Sequence, residues 1–333
     1  MSAVTDAHHP YRSRSRFQHF TIQSAPLLLA LIILAGMVAL YVGLFYRQLS
    51  RLPGSFEWTS VVNTSMPLVF AAVGQSIVVL TRGLDLSVGG MIDLTNSIAA
   101  THMHSSTGSM LGWSLLVLLI GAGGGAINGV LVAYGRLQPI LVTLATLSIY
   151  QGLAIKVLPE PGGAVPIEYT KILANPNGPW GLVFVGVIVV FWILFRRTRF
   201  GVDVYAIGND QEAARAHGVH VRLVKVGAYV LGGTFAAAGG LFLAATTTAG
   251  DATSGDVFVL TSIAAVVLGG ISFFGGRGSA IGTVAGAFVL TLLINVLFFA
   301  NINPLYQSFF QGLFLVVAVL LGTLIRRLVR MRG

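Results

Sequence analysis

The chain has 333 residues, of which 55% are hydrophobic and only 9% are charged, and its mean hydropathy is +0.84. A soluble globular domain carries about 25% charged residues, so this composition excludes one. The chain contains no Cys, which excludes disulfide frameworks, Cys-ligated zinc, iron–sulfur clusters and thiol chemistry.

Ten apolar stretches along the chain are candidates to cross a bilayer, whose core of about 30 Å needs roughly 20 residues of helix. In chain order these predicted spans are Pro26 to Tyr46, Val61 to Leu80, Asp85 to Met103, Leu111 to Tyr134, Ile140 to Leu158, Trp180 to Phe195, Val224 to Thr246, Val257 to Phe274, Ile281 to Ala300 and Tyr306 to Ile325. The third is the weakest because it contains Asp93 and Asn96, and the sixth is short. We therefore expect an all-α polytopic membrane protein with about ten transmembrane helices.

The positions of Lys and Arg predict that both termini are cytoplasmic. If the spans alternate from a cytoplasmic N-terminus, 16 of the 20 basic residues lie on the cytoplasmic side, as the positive-inside rule requires. Removing two spans together would preserve the same sidedness. The expected organisation is a cytoplasmic tail at 1–25, a transmembrane domain at 26–327 with a cytoplasmic loop at 196–222, and a cytoplasmic tail at 328–333. The net charge of +9 then reflects topology and attraction to membrane lipid, so no nucleic acid partner is expected.

Small residues recur at four-residue spacing inside the predicted spans. In lipid such residues let two helices approach closely and gain van der Waals contacts. The pattern therefore predicts a tightly packed bundle, and it identifies no function. The pairs are Gly121 with Gly125, Ala236 with Gly240, and Gly282 with Gly286.

Sequence motifs for catalysis are missing from the chain. None of the three lysines ends a Gly-x-x-x-x-Gly-Lys-Ser/Thr loop, so no ATP hydrolysis is expected here. No His-Glu-x-x-His or Gly-x-Ser-x-Gly occurs, so we expect no catalytic residues and no metal site.

Polar residues inside the predicted spans are mostly neutral, and Asp93 is the one acid in mid-span. A carboxylate at that depth is costly unless it is paired, so we expect Asp93 to face the bundle or a pathway beside a neutral amide or hydroxyl. Amides and hydroxyls suit an uncharged polyhydroxylated solute, although interhelical hydrogen bonds explain them equally. The candidate pathway residues are Asp93, Asn96, Asn128 and Asn295.

The cytoplasmic loop at 196–222 contains a short predicted helix from Asn209 to His217. Asn209 and Glu212 have the spacing of a capping box, in which the first side chain caps the helix and the second reaches back. Ala213 and Ala214 favour a helix, and Gly218 is placed to end it. Taken alone, this is an ordinary surface helix.

The same loop resembles the ATPase-facing loop of ABC importer permeases, whose motif is Glu-Ala-Ala-x-x-x-Gly, here Glu212-Ala213-Ala214 with Gly218. From Val61 to Arg327 the chain is similar to the ribose-type permease family of bacterial sugar importers. The blocks that carry this resemblance are Arg82 to Gly89, Leu137 to Ile140, Thr143 to Thr146, Arg197 to Gly201, Tyr205 to Asn209, Leu268 to Ser272 and Gly275 to Ser279.

The resemblance implies a permease of the bacterial cytoplasmic membrane that forms a homodimer with a second permease chain. ABC ATPase subunits would bind the ATP, so this chain needs no cofactor, and a periplasmic or lipid-tethered sugar-binding protein would deliver the solute. The residues expected to contact the ATPase are Asn209, Asp210, Glu212, Ala213, Ala214, Arg215 and Gly218. Asp93 departs from the family, which usually has a small or apolar residue there.

Two other functions compete with an ABC permease. A stand-alone secondary carrier or facilitator for a neutral solute would need neither ATP nor a second gene product. A membrane scaffold would fit the glycine packing but not the loop motif.

Overall fold

The computed structural model describes residues 16–175, 177–178, 180–303, 305–307, 309–314 and 316–317, with side chains from residue 26 onward. Over these residues the fold is all-helical, with one isolated β-bridge between Gly162 and Gly250. The helices are α1 (Arg16–Leu49), α2 (Ser55–Leu80), α3 (Val88–His102), α4 (Thr107–Ala133), α5 (Pro139–Val157), α6 (Ile167–Leu173), α7 (Trp180–Phe195), α8 (Arg199–Asn209), α9 (Gln211–Ala216), α10 (Val221–Thr247), α11 (Asp256–Leu268) and α12 (Ala280–Phe299).

Six of these helices are long and apolar enough to cross a membrane: α1 from Pro26, α2, α4, α5, α10 and α12. A seventh span is formed if α7 is counted with α8, although the two helices meet at a bend of 75°. The chain is therefore a multi-pass membrane protein. Half of the expected span Tyr306 to Ile325, including all of 318–325, lies outside the described residues.

The two remaining predicted spans, Asp85 to Met103 and Val257 to Phe274, contain short helices. With 15 and 13 residues, α3 and α11 are about 22 and 20 Å long, less than the bilayer core. Their first residues lie against each other, since a Cβ added at Gly89 would approach the Gly255 carbonyl oxygen to 2.8 Å. Non-helical backbone is tolerated at membrane depth only where protein surrounds it, and α3 is buried from Val88 to Ala100.

Helix α10 is the centre of the bundle and packs against α2, α3 and α4. Added Cβ atoms at Gly121 and Gly125 of α4 would collide with the Gly233 and Tyr229 carbonyl groups of α10. Gly286 of α12 approaches α11 in the same way. The predicted role of the small residues in close helix packing is confirmed.

The Pro- and Gly-rich loop between α5 and α7 lies across one end of the bundle. Its Ala164 N–H donates to the Ala100 carbonyl of α3 at 2.9 Å, and its Val165 N–H donates to the Thr248 carbonyl at 3.1 Å. Helices α8 and α9 lie at the opposite end, which we call the α9 end. Backbone hydrogen bonds thus hold this loop against α3 and the end of α10.

Candidate functional site: the α9 end and a buried carboxyl group

Helix α9 is capped by Asp210 rather than by Asn209. Asp210 has an extended φ of −154°, and its carboxylate accepts the N–H groups of Glu212 at 2.9 Å and Ala213 at 3.0 Å. The predicted capping box of Asn209 with Glu212 is wrong, because Asn209 is the last residue of α8. The helix is accordingly Gln211–Ala216, shorter than the predicted Asn209 to His217.

The backbone bonds of the cap also shift the acidity of Asp210. The N–H of Ala213 and then that of Glu212 lower the pKa of the Asp210 carboxyl below its ordinary value. An ionised carboxylate at this position interacts favourably with the positive, N-terminal end of the α9 dipole.

Gly218 ends α9, as the sequence predicted, and it does so in the left-handed conformation, with φ +83°. The Val219 N–H donates to the Ala214 carbonyl, and the Gly218 N–H donates to the Arg215 carbonyl, both at 3.0 Å. This pair of bonds is the Schellman arrangement of a helix C-terminus. Nothing lies within 4 Å of a Cβ added at Gly218, so its role is conformational rather than steric.

One face of α9 is seated on the protein and the other is free. Ala214 is 5% exposed and joins the hydrophobic core, whereas Glu212, Ala213 and Arg215 are exposed. At the start of the helix, Lys225 Nζ of α10 donates to Gln211 Oε1 at 2.8 Å. Helix α9 thus presents an acid, a small residue and a base on a fixed surface.

Asn209 anchors this surface instead of capping it. Its side-chain amide donates to the carbonyl oxygens of Tyr205 at 3.0 Å and Gly276 at 3.2 Å. Arg82, just after α2, donates to the carbonyl oxygens of Gly208 and Asn209. The expected ATPase-contact residues therefore form one structural unit, which the Asn209 side chain joins to Gly276.

The candidate pathway residues Asp93 and Asn96 lie together on α3, facing the segment before α11. Asp93 Oδ1 accepts the backbone N–H of Gly255 at 2.5 Å, so its partner is a backbone group and not the expected amide or hydroxyl side chain. Asn96 Nδ2 lies 3.5 Å from Ser254 Oγ. Three buried atoms on this face have no partner among the described residues: Asp93 Oδ2, Asn96 Oδ1 and Ser97 Oγ.

Asn128 and Asn295 have partners elsewhere. Asn128 is fully buried, donates to Ser87 Oγ and accepts from Thr146 Oγ1, both at 2.8 Å. Asn295 is half-buried and donates to the Thr291 carbonyl of its own helix at 3.1 Å. Of the four candidates, only Asp93 and Asn96 share one surface.

A further polar pair lies beside Asp93. Gln151 Nε2 of α5 donates to Asp256 Oδ1, the first residue of α11, at 3.1 Å, and Asp256 is exposed. Gln151 is about 18 Å along α5 from Pro139, within the depth of a bilayer core. The sequence placed Asp256 just outside a span, so only the contact with α5 reveals its depth.

Comparison with known proteins gives the chain its family. Residues 58–319 match the family model described as branched-chain amino acid transport system / permease component. The ribose import permease protein RbsC of Escherichia coli (strain K12) is 32% identical over 307 residues, which cover 88% of this chain and 91% of the relative. The galactose/methyl galactoside import permease protein MglC of the same strain is 32% identical, over 80% of this chain and 86% of that one.

The autoinducer 2 import system permease protein LsrC of Yersinia enterocolitica is also 32% identical, over 80% of this chain and 74% of its own length. No solved structure matches the chain. The chain belongs to the family of branched-chain amino acid transport system permease components, which are membrane subunits of ABC importers.

Proposed function

We propose that this chain is the transmembrane permease subunit of an ATP-driven, binding-protein-dependent importer for a sugar or a similar neutral polyhydroxylated solute. The observation that carries the proposal is α9, a short exposed helix with the ATPase-contact motif, fixed by Asp210, Asn209 and Gly218. The similar permeases named for ribose, galactose and autoinducer 2 support this class of solute.

The proposed topology has ten spans with both ends in the cytoplasm of a bacterial cell, across the inner membrane. Beyond the six to seven spans recognised by length, α3, α11 and the residues after α12 supply the others. The α9 end is then cytoplasmic, which agrees with the distribution of Lys and Arg.

ATP is bound by partner subunits in this proposal, and the chain itself performs no hydrolysis. ABC ATPase subunits dock on Glu212, Ala213 and Arg215, while a sugar-binding protein docks at the opposite end. A second copy of the chain completes the pathway. The Gln151–Asp256 pair belongs to that pathway, because an exposed carboxylate at bilayer depth is too costly against lipid.

A stand-alone carrier is the second candidate, and one observation favours it. Coupled carriers place ionisable groups within their spans, and Asp93 is a fully buried acid, one oxygen of which has no partner in the part of the chain that the structure describes. Such a carrier would use a proton or sodium gradient, and not ATP, to drive solute uptake.

The deciding experiment purifies the tagged chain from its native membranes and identifies the proteins bound to it. An ABC ATPase should co-purify, and vesicles that contain the chain alone should show no solute flux. Flux driven by a proton or sodium gradient in vesicles of the chain alone would overturn the proposal in favour of the carrier.

A further inference from the structure

Arg82 occupies an unusual position between the α9 end and the interior of the bundle. It follows α2 with a φ of +63°, a left-handed conformation that is unfavourable for a residue with a Cβ. Such a conformation persists only where the surroundings hold it, and it often marks a functional position.

The guanidinium group of Arg82 holds the junction of α8 and α9. Nε donates to the Gly208 carbonyl at 2.9 Å, and Nη2 donates to the Asn209 carbonyl at 2.7 Å. These carbonyls belong to the last turn of α8, where helices lack internal donors and favour a cation. Arg82 also contributes to the lowered pKa of Asp210, the cap of α9.

Backbone contacts tighten the same junction. The Gly276 N–H donates to the Leu80 carbonyl at 3.0 Å, and the Asn209 side chain donates to the Gly276 carbonyl. A Cβ added at Gly208 would collide with the Leu80 carbonyl and the Gly276 backbone. The end of α2 therefore has no room to slide past α8.

The segment that follows Arg82 is also held by hydrogen bonds at its other end, next to α3. Tyr229 of α10 donates its hydroxyl to the Leu84 carbonyl at 3.2 Å. Asp85 Oδ1 accepts the Ser87 hydroxyl at 2.6 Å, and Ser87 Oγ accepts from Asn128 of α4 at 2.8 Å. Helix α3, which carries Asp93, begins at the next residue, Val88.

We infer that Arg82 is a positioning residue that transmits the displacement of α9 to α3 and so to the junction of α3 with α11. The inference depends on the proposed function, in which an ATPase moves α9. Five residues separate Arg82 from the start of α3, and polar bonds hold both ends of this segment. A movement of the α8–α9 junction therefore shifts α3 or breaks these bonds.

The chain offers a matched control at Arg136. This residue also has a left-handed backbone, with φ +55°, but its side chain makes no hydrogen bond to the described residues. Arg82→Gly and Arg136→Gly both relieve an unfavourable backbone, and only the first removes a link to α9. Loss of folding is therefore not expected for either variant.

The test reads the movement of α3 directly. Because the natural chain has no Cys, His102→Cys places a single thiol at the last residue of α3. The rate of its reaction with a maleimide is measured in the detergent-solubilised complex with the co-purified ATPase, with and without ATP and vanadate. In the parent, the His102→Cys chain with no other change, we expect the labelling rate to depend on nucleotide. In the Arg82→Gly variant of this chain we expect that dependence to be lost.

Arg136→Gly should keep the change, and Arg82→Lys should restore part of it, because a lysine can still donate to one carbonyl. The inference is overturned if Arg82→Gly responds like the parent, if both glycine variants lose the change, or if the parent shows none. Failure of any ABC ATPase to co-purify with the parent would instead overturn the proposed function.

Discussion

The Asp93 carboxyl group accepts the backbone N–H of Gly255 through Oδ1 at 2.5 Å, and this bond joins α3 to the residue before α11. Both partners are buried. The bond requires an acceptor oxygen at position 93 and makes no demand on the second carboxyl oxygen, which has no partner among the described residues. The buried Asp93 carboxyl group thus links two short helices.

Replacement of Asp93 by Asn should preserve this bond, since the amide oxygen accepts the same N–H group. We expect Asp93→Asn to keep the unfolding temperature and solute uptake. Asp93→Leu leaves the buried Gly255 N–H unpaired, which costs about 1–3 kcal/mol, and should lower the unfolding temperature in detergent. Complete loss of uptake by a normally assembled Asp93→Asn complex would contradict the structural role and would favour a coupled carrier.

The apolar pattern predicted most of the helices, because a helix in lipid must be apolar over a fixed length. Six long helices appear where the sequence placed them. The pattern did not reveal that α3 and α11 are short, since each predicted span included residues outside the helix, Asp85 to Ser87 before α3 and Gly269 to Phe274 after α11. The meeting of Gly89 with Gly255 depends on contacts between residues far apart in the chain.

At the α9 end, too, the sequence predicted what depends on neighbouring residues and missed what depends on contacts with distant ones. Gly218 was correctly predicted to end α9 because its requirement for a left-handed backbone is local. Asn209 and Asp210 are both good caps and stand next to each other, so the spacing to Glu212 selected the wrong one. The structure decides for Asp210 because Asn209 continues α8 and its amide is bound to Gly276.

The proposed topology can be tested by cysteine labelling, again because the chain has no Cys of its own. His217 and Glu160 are exposed at opposite ends of the bundle. In intact spheroplasts a membrane-impermeant maleimide should label Glu160→Cys and leave His217→Cys unlabelled until the membrane is opened. Labelling of His217→Cys in sealed spheroplasts would reverse the sidedness that the basic residues indicate.

Replacement of Gly218 by Val should damage the end of α9 without any steric clash. A left-handed backbone costs a residue with a Cβ roughly 1–2 kcal/mol, and Val is branched at that atom. We expect Gly218→Val to reduce ATPase co-purification while the permease still inserts. Gly218→Asn should behave like the parent, because Asn tolerates this conformation. Equal co-purification with both variants would show that the turn is not required.

Replacement of Glu212 by Lys tests whether the exposed face of α9 is the contact to the ATPase. Glu212 makes no side-chain hydrogen bond to the described residues, so the fold places no demand on its carboxylate. A lysine there places a positive charge at the positive end of the helix dipole, and it reverses the charge that the helix presents to a partner. We expect the variant to insert and fold normally but to lose ATPase co-purification and solute-stimulated hydrolysis.

Glu168→Lys is the matched control for this charge reversal. Glu168 also lies exposed in the first turn of a short helix, α6, at the opposite end of the bundle. The two variants change the net charge equally and perturb the same kind of helix end. A difference in ATPase co-purification between them therefore shows at which end of the bundle the ATPase binds. If Glu212→Lys keeps co-purification, stimulated hydrolysis and uptake at the parent level, α9 is not the coupling element. An equal loss of ATPase co-purification in both variants would point to a general effect of charge, because only one of these helices carries the motif.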